Sequence, residues 1–169
     1  MSRGFVKEDD LEHAGTDVPE RQISAEINYV TTNGYRLLEQ QANALEKQRN
    51  ALNAKKDDQQ ALQQLAVINR DLRYVAARLE SAQVINPAAS KPDASSPVLF
   101  GAAVIVEDEN GAKHSYQIVG EDEADIKVGK VSWTSPLAKA LIGQKIGETV
   151  VWKRPAGNTA LEIIDIDYK

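Results

Sequence analysis

The sequence predicts an α+β protein with two long antiparallel helices followed by a small β-sheet domain that carries one short helix. Two observations predict this fold. Apolar residues recur at helical spacing through the first half, and alternation with a period of two replaces that spacing after residue 97. A segment with three prolines separates the two patterns. The predicted segments are a flexible acidic tail (1–27), a coiled-coil hairpin (28–85), a linker (86–97) and the sheet domain (98–169).

The helical half contains two apolar stripes that predict a hairpin. The first consists of Leu38, Ala42, Leu45 and Leu52, and the second of Leu62, Leu65, Ile68, Leu72, Val75 and Leu79. Their spacing is close to the 3.5-residue repeat of a coiled coil. Two such helices joined by a few residues pack as an antiparallel pair, each burying its stripe against the other. Arms of about 22–25 residues would reach roughly 35 Å. At the start, a side-chain oxygen of Thr31, Thr32 or Asn33 can cap the first helix.

The stretch "AKKDDQQA", 54–61, lies between these two helices. Asp57 or Asp58 can cap the second helix and stabilise its positive end, while Lys55 and Lys56 suit the negative end of the first. Capping alone explains all four charged residues. The functional alternative is that the two carboxylates take part in a chemical reaction at the tip of the hairpin.

The sheet domain is predicted from five strand-like stretches and two turn signals. The strands are expected in "VLFGAAVIVED", "KHSYQIVG", "KVSWTS", "ETVVWKR" and "ALEIIDIDY". The Asn-Gly pair in "DENGA" predicts a hairpin turn between the first two. In "SPLAKALIG", Ser135 is the expected helix cap, Pro136 the first helical residue and Gly143 the stop.

Composition limits the possible functions. The 169 residues are 42% hydrophobic, which suits one or two small domains, and the absence of cysteine excludes disulfides and thiolate metal sites. No apolar run approaches the roughly 20 residues that span a bilayer, and the N-terminus lacks an apolar signal core, so we expect a cytoplasmic protein without membrane contact. The net charge of −5 argues against a broad phosphate-binding face, although residues 28–84, with 8 basic and 6 acidic residues, are basic.

Catalytic motifs are sparse. The two histidines, His13 and His114, have no partner at a metal-ligand spacing, and neither a phosphate loop nor a dinucleotide fingerprint occurs. The acidic stretch "GEDEADI", 120–126, is expected to be a solvated loop or, alternatively, a surface for a basic partner.

The C-terminal half resembles the bacterial Gre transcript-cleavage factors. The resemblance is carried by "VLFGAAVIVEDENG" (98–111), "YQIVGEDEADIKVGKVSWTSPLAKALIGQKIGETVVWKRPAG" (116–157) and "EIIDIDY" (162–168). "NYVTTNGYRLLEQ" and "ARLESAQVI" are similar to the family's entry into its first helix and its exit from the second. The resemblance implies an antiparallel coiled coil joined to an FKBP-like domain. It covers about residues 28–168.

The resemblance also implies a partner and a mechanism. In the family, the globular domain binds the rim of the secondary channel of bacterial RNA polymerase and the hairpin enters the channel. Acidic tip residues then help to hold the second Mg²⁺ of the polymerase, which hydrolyses backtracked RNA. The implied protein is a monomer with no cofactor of its own that contacts this RNA indirectly. It is an accessory factor and not an enzyme. The matching candidates for polymerase docking are Asp122, Glu123, Ser135, Pro136 and Leu137.

The tip departs from the family pattern. Without gaps, the positions of the family's two tip acids fall on Ala51 and Ala54, and the hairpin is shorter by about two turns per arm, or roughly 10 Å. Either Asp57 and Asp58 replace the missing acids, or the protein occupies the channel with weak or absent cleavage, which is the reading we favour. Two alternatives of other classes are a peptidyl-prolyl isomerase, suggested by the FKBP-like fold, and a structural protein that dimerises through its helices.

Overall fold

The computed structural model describes residues 18–55, 57–90 and 92–168. His13 and Lys56, and residues 1–17 of the predicted tail, lie outside this range. The described residues form two compact units. One contains Leu38–Glu80 and the described residues up to Ser24, and the other contains Ala25–Leu37 and the described residues from Ser81 onwards.

Two long helices dominate the first half. Helix α1 spans Thr32–Asn53 and helix α2 spans Gln59–Ser81. With 22 and 23 residues they are about 33–35 Å long, close to the predicted reach. Two short parallel strands, β1 (Tyr29–Val30) and β2 (Gln83–Val84), flank the helices in the chain and pair with each other.

The buried stripe of α2 differs from the predicted one at its start. Leu65, Ile68 and Val75 are buried as predicted, but Leu62 is 41% exposed and Ala61 is buried in its place. The periodic positions of this face run 61, 65, 68, 72 and 75, so Leu62 lies about 100° away around the helix. The prediction for Leu62 was therefore wrong.

Glu20 and Arg21, which fall within the predicted flexible tail, contact α2. Glu20 accepts hydrogen bonds from the Arg73 guanidinium, and this bonding lowers the pKa of Glu20. The Arg21 guanidinium lies 3.7 Å from the centre of the Tyr74 ring and 3.4 Å from Asp71 Oδ1. These pairs join residues about 50 positions apart, and for that reason no local sequence pattern indicates them.

The second half is a five-stranded mixed sheet. Its strands are β3 (Ala103–Glu107), β4 (Lys113–Val119), β5 (Lys130–Ser132), β6 (Thr149–Trp152) and β7 (Thr159–Asp167). They lie in the order β5-β4-β3-β7-β6. Strands β4 and β5 are parallel and the other pairs antiparallel, with a register shift between Ile105 and Val106 where β3 meets β7.

One face of this sheet packs against the short helix α3, Pro136–Leu141, which presents Leu137, Ala138 and Leu141 to the buried core. The sheet contributes Val104, Val106, Ile118, Leu161 and Ile163, all of them 0–2% exposed. Because β3 alternates between buried and half-buried side chains, and Leu161 and Ile163 of β7 are buried on either side of the exposed Glu162, the period of two is confirmed. The predicted α+β fold, with two long helices and a C-terminal sheet domain that carries one short helix, is thus confirmed.

The segment predicted as a linker belongs to the C-terminal unit. Its first residues form a 3₁₀ turn, Pro87–Ser90, and the Pro87 ring lies where a Cβ on Gly101 would be. The Tyr168 hydroxyl donates to the Pro97 carbonyl and accepts from the Leu99 N–H, both at 3.0 Å. Burial raises the pKa of Tyr168.

Candidate functional site

The hairpin tip is a closed turn between α1 and α2. The Lys55 N–H donates to the Leu52 carbonyl at 2.9 Å, and the Asp58 N–H donates to the Lys55 carbonyl at 3.0 Å. These bonds give partners to a carbonyl in the last turn of α1 and to one between the helices. The turn brings Asp57 and Asp58 to the start of α2, and both are exposed.

Asp58 acts as the cap that the sequence predicted. Its Oδ1 accepts the Gln60 N–H at 3.0 Å, and this satisfies one of the free donors in the first turn of α2. A carboxylate at this end is also stabilised by the helix dipole, which places a partial positive charge there. One oxygen of Asp58 therefore already has a structural partner.

The described residues contain no group of three or more histidine, cysteine, aspartate or glutamate side chains that could hold a metal ion. At the tip, two carboxylates are adjacent in sequence, and one of them caps a helix. Two such groups can complete a ligand shell that another molecule provides, but they do not form one alone. The described helices include none that is long and apolar enough to cross a membrane.

The acidic loop after β4 gives its carboxylates different surroundings. Asp122 is exposed, whereas the Glu123 side chain is only 3% exposed. Glu123 Oε1 accepts from Thr31 Oγ1 at 2.5 Å, and Oε2 accepts from Asn33 Nδ2 at 2.9 Å. Lys130 Nζ lies 3.3 Å from Oε2. Of the two acids predicted to dock on the polymerase, only Asp122 therefore lies at the surface.

The start of α3 has the predicted capping geometry. Ser135 Oγ accepts the Ala138 N–H at 3.2 Å, Pro136 is the first helical residue, and Gly143 adopts a φ of +87° after the helix. Pro136 is exposed, but Leu137 is 2% exposed and belongs to the core. The hydroxyl of Thr134, just before this helix, donates to Glu121 Oε1 at 3.4 Å and connects the acidic loop to the helix start.

An apolar groove of about 310 Å³ lies beside the start of α3. Its lining includes Ile126, Lys130, Val131, Pro136, Leu137 and Trp152. Ile126 and Val128, at 61% and 66% exposure, are among the most exposed large hydrophobic residues described. Sequence reasoning missed Ile126 and Trp152 as possible contact residues. The signal was present in "ADIKVG", where two apolar residues occur in a charged loop without contributing to a strand.

This architecture defines a class of two-part proteins: a helical hairpin with an acidic turn, and a small mixed sheet with a short capped helix. Residues 93–168 match the family model described as "Transcription elongation factor, GreA/GreB, C-term". The transcription elongation factor GreA of Alkalilimnicola ehrlichii is 43% identical over 109 residues, which cover 64% of this chain and 68% of that protein. That of Pelobacter propionicus is 46% identical over 99 residues, which cover 58% and 61%.

Two solved structures are also similar. The GreA factor homolog 1 (Gfh1) protein of Thermus thermophilus has a TM-score of 0.40 and 23% identity, and the match covers 84% of this chain and 99% of that one. A GreA/GreB elongation factor from Nitrosomonas europaea has a TM-score of 0.41 and 20% identity, with 83% and 99% covered. On the sequence matches, the chain belongs to the GreA/GreB family of transcription elongation factors.

Proposed function

We propose that the protein binds bacterial RNA polymerase at its secondary channel, inserts the helical hairpin, and regulates elongation with weak or absent stimulation of RNA cleavage. It acts as a monomeric accessory factor in the cytoplasm and is not itself an enzyme. The proposal rests on family membership and on one observation at the tip: Asp58 Oδ1 accepts the Gln60 N–H and caps α2.

The capping role reduces the suitability of Asp58 as a metal ligand. A cation bound at Oδ1 would have to share that oxygen with the Gln60 N–H and fit beside an existing hydrogen bond. It would also lie at the end of α2 where the helix dipole is positive, which disfavours cations. Asp57 lies beside this helix end, although it is not the cap. The tip therefore holds negative charge well, but it provides a poor site for a divalent cation.

The length of the hairpin supports the same proposal. Helices of 22 and 23 residues reach about 33–35 Å, while the resemblance implies arms roughly 10 Å longer in factors that stimulate cleavage. Because Mg²⁺–oxygen bonds are about 2.0–2.1 Å long, a shortfall of this size removes a carboxylate from the ligand shell. In the alternative, in which the protein is an active cleavage factor, Asp57 and Asp58 would hold the second Mg²⁺, which supplies charge stabilisation for hydrolysis of backtracked RNA.

The docking surface that we propose combines Asp122 with the groove beside α3. Asp122 offers an exposed negative charge, and Pro136 and Ile126 offer exposed apolar area in the same unit. An exposed acid and an apolar groove in one unit are complementary to a partner with both basic and apolar side chains. Ser135 and Leu137 shape this surface from within, as a helix cap and as a core residue.

The decisive experiment is a backtracked elongation complex mixed with the purified protein. We expect binding without RNA shortening. Shortening that disappears in the Asp57→Asn, Asp58→Asn double variant would overturn the proposal in favour of the active factor. Asparagine is a good helix cap, so this variant removes charge while retaining the cap.

Docking is tested in the same binding assay. Asp122→Asn and Pro136→Ala should each weaken polymerase binding, whereas Glu162→Gln, which removes an exposed acid from β7, should not. Equal effects of Asp122→Asn and Glu162→Gln would show that binding depends only on net charge and would contradict the docking surface that we propose.

A further inference from the structure

The Glu123 carboxylate is enclosed by the residues that begin α1. Oε1 accepts from the Thr31 hydroxyl at 2.5 Å and Oε2 accepts from the Asn33 amide at 2.9 Å, while Lys130 approaches Oε2 at 3.3 Å. The Thr31 hydroxyl also accepts the Gly34 N–H at 2.9 Å and so caps α1. All five residues belong to the same compact unit. One carboxylate thus accepts hydrogen bonds both from Thr31, the cap of α1, and from Asn33, two residues further on.

Glycines make this close approach possible in both segments. A Cβ on Gly34 would lie 2.7 Å from Glu123 Oε1, closer than real Cβ contacts. A Cβ on Gly120, three residues before Glu123, would meet the backbone carbonyl of Tyr29. Neither glycine has a positive φ that would explain its presence. Lack of space is the reason that both positions lack a side chain.

This geometry excludes Glu123 from direct docking in the described conformation. Its side chain is 3% exposed, and donors from 31, 33 and 130 occupy both oxygens. A partner could reach the carboxylate only by displacing these donors, which would leave buried polar groups without hydrogen bonds. Asp122, the neighbouring residue, is exposed.

We propose that Glu123 is a positioning residue that fixes the start of α1, the helix on which the hairpin is built, and not a residue that contacts the polymerase. This positioning role goes beyond the proposed function. Only the polymerase-binding measurement described below depends on the proposed function. The chemistry is that of a buried anionic acceptor: it organises a hydroxyl, an amide and an ammonium around the first turn of α1.

The structural test is amide hydrogen exchange in the full chain. In Glu123→Gln, the amides of residues 31–36 should exchange at least about tenfold faster, while the β3 and β7 amides remain protected. Asp122→Asn should leave both sets unchanged. Thr31→Val removes the hydroxyl and should reproduce the effect of Glu123→Gln, and Thr31→Ser, which keeps the hydroxyl, should restore wild-type exchange.

Two results would overturn the proposal. One is unchanged exchange at 31–36 in both Glu123→Gln and Thr31→Val. The other is equal loss of protection in the whole sheet, since Glu123 would then be a general stability element and would not position α1.

A polymerase-binding measurement separates the two roles. Asp122→Asn should weaken binding with normal exchange at 31–36, and Glu123→Gln should show fast exchange with binding within about threefold of wild type. Weakened binding of Glu123→Gln with normal exchange would assign Glu123 to docking and refute the inference. If the wild-type protein does not bind polymerase, the proposed function fails, while the exchange result still decides the role of Glu123.

Discussion

Gly34→Ala should destabilise the protein, although glycine-to-alanine changes in helices usually stabilise. Gly34 is the third residue of α1, where alanine is intrinsically the better helix former by up to about 1 kcal/mol. The new Cβ would lie 2.7 Å from Glu123 Oε1 and 3.3 Å from Thr31 Oγ1. The carboxylate must then move, and its 2.5 Å hydrogen bond from Thr31 is lost or lengthened.

The structure gives the sign and approximate size of this effect. A hydrogen bond to a charged group contributes about 1.5–3 kcal/mol, which exceeds the propensity gain. We therefore expect a net destabilisation of about 1–2 kcal/mol. In a Glu123→Ala background the contact with the carboxylate is absent and the propensity gain is opposed only by the 3.3 Å approach to Thr31 Oγ1, so the same Gly34→Ala change should stabilise by about 0.5–1 kcal/mol. The coupling energy of the two positions is then about 1.5–3 kcal/mol.

The measurement is urea unfolding of the four proteins of this double-mutant cycle. Tryptophan fluorescence is a suitable probe because both tryptophans, Trp133 and Trp152, lie in the unit that contains Gly34. Trp133 also packs edge-on against Tyr29 at 5.1 Å, close in sequence to the α1 cap. The same sign of the Gly34→Ala effect in both backgrounds would refute the argument that the Glu123 carboxylate is what excludes a side chain at 34.

Three further changes test other parts of the structure. Tyr168→Phe removes a hydroxyl that has two backbone hydrogen-bond partners, and it should lower the free energy of unfolding in urea by about 1–3 kcal/mol. Tyr116→Phe, which retains its ring contacts, should lower this free energy less. Asp58→Ala should lower the free energy of unfolding by about 1 kcal/mol because the α2 cap is lost, and Asp58→Asn should lower it much less. Equal effects of the two substitutions would contradict the capping role. The hydrogen bond to His114 lowers the pKa of Asp108 below the ordinary 3.8. The stability that this carboxylate contributes should therefore be present above its ordinary pKa and be lost as the pH falls through the lowered pKa. Asp108→Asn should flatten this acid limb of the unfolding midpoint between about pH 5 and 2.5.

The parts of the fold that the sequence predicts are those governed by local rules. Helix caps depend on residues two or three positions apart, and Asp58 and Ser135 cap as expected. The hairpin turn at Asn110–Gly111 forms as the dipeptide indicates, with Gly111 at a φ of +79° and its N–H donating to the Asp108 carbonyl. The alternation of the strands follows from the need to bury one face of the sheet.

The features that sequence reasoning missed depend on pairs that are distant in the chain. The Thr31–Glu123 bond joins residues 92 positions apart, and Glu20 and Arg73 are 53 positions apart. The strands β1 and β2 contain two residues each, too few to produce a periodic signal. The wrong prediction that Leu62 is buried has a different cause. Because Ala61 is small, the pattern of large apolar residues indicated its neighbour Leu62 as the buried position.

Neighbouring acids of one loop have different physical roles, and this affects how roles are transferred between relatives. Glu121 accepts from Thr134 and connects the loop to the start of α3, Asp122 faces solvent, and Glu123 is buried against the start of α1. All three are carboxylates in consecutive positions, so a sequence match alone does not distinguish the roles of the three residues. Burial separates them, because a buried carboxylate must keep its internal donors while an exposed one can exchange water for a partner at little cost. We therefore propose the docking role only for Asp122, the acid that the fold leaves at the surface.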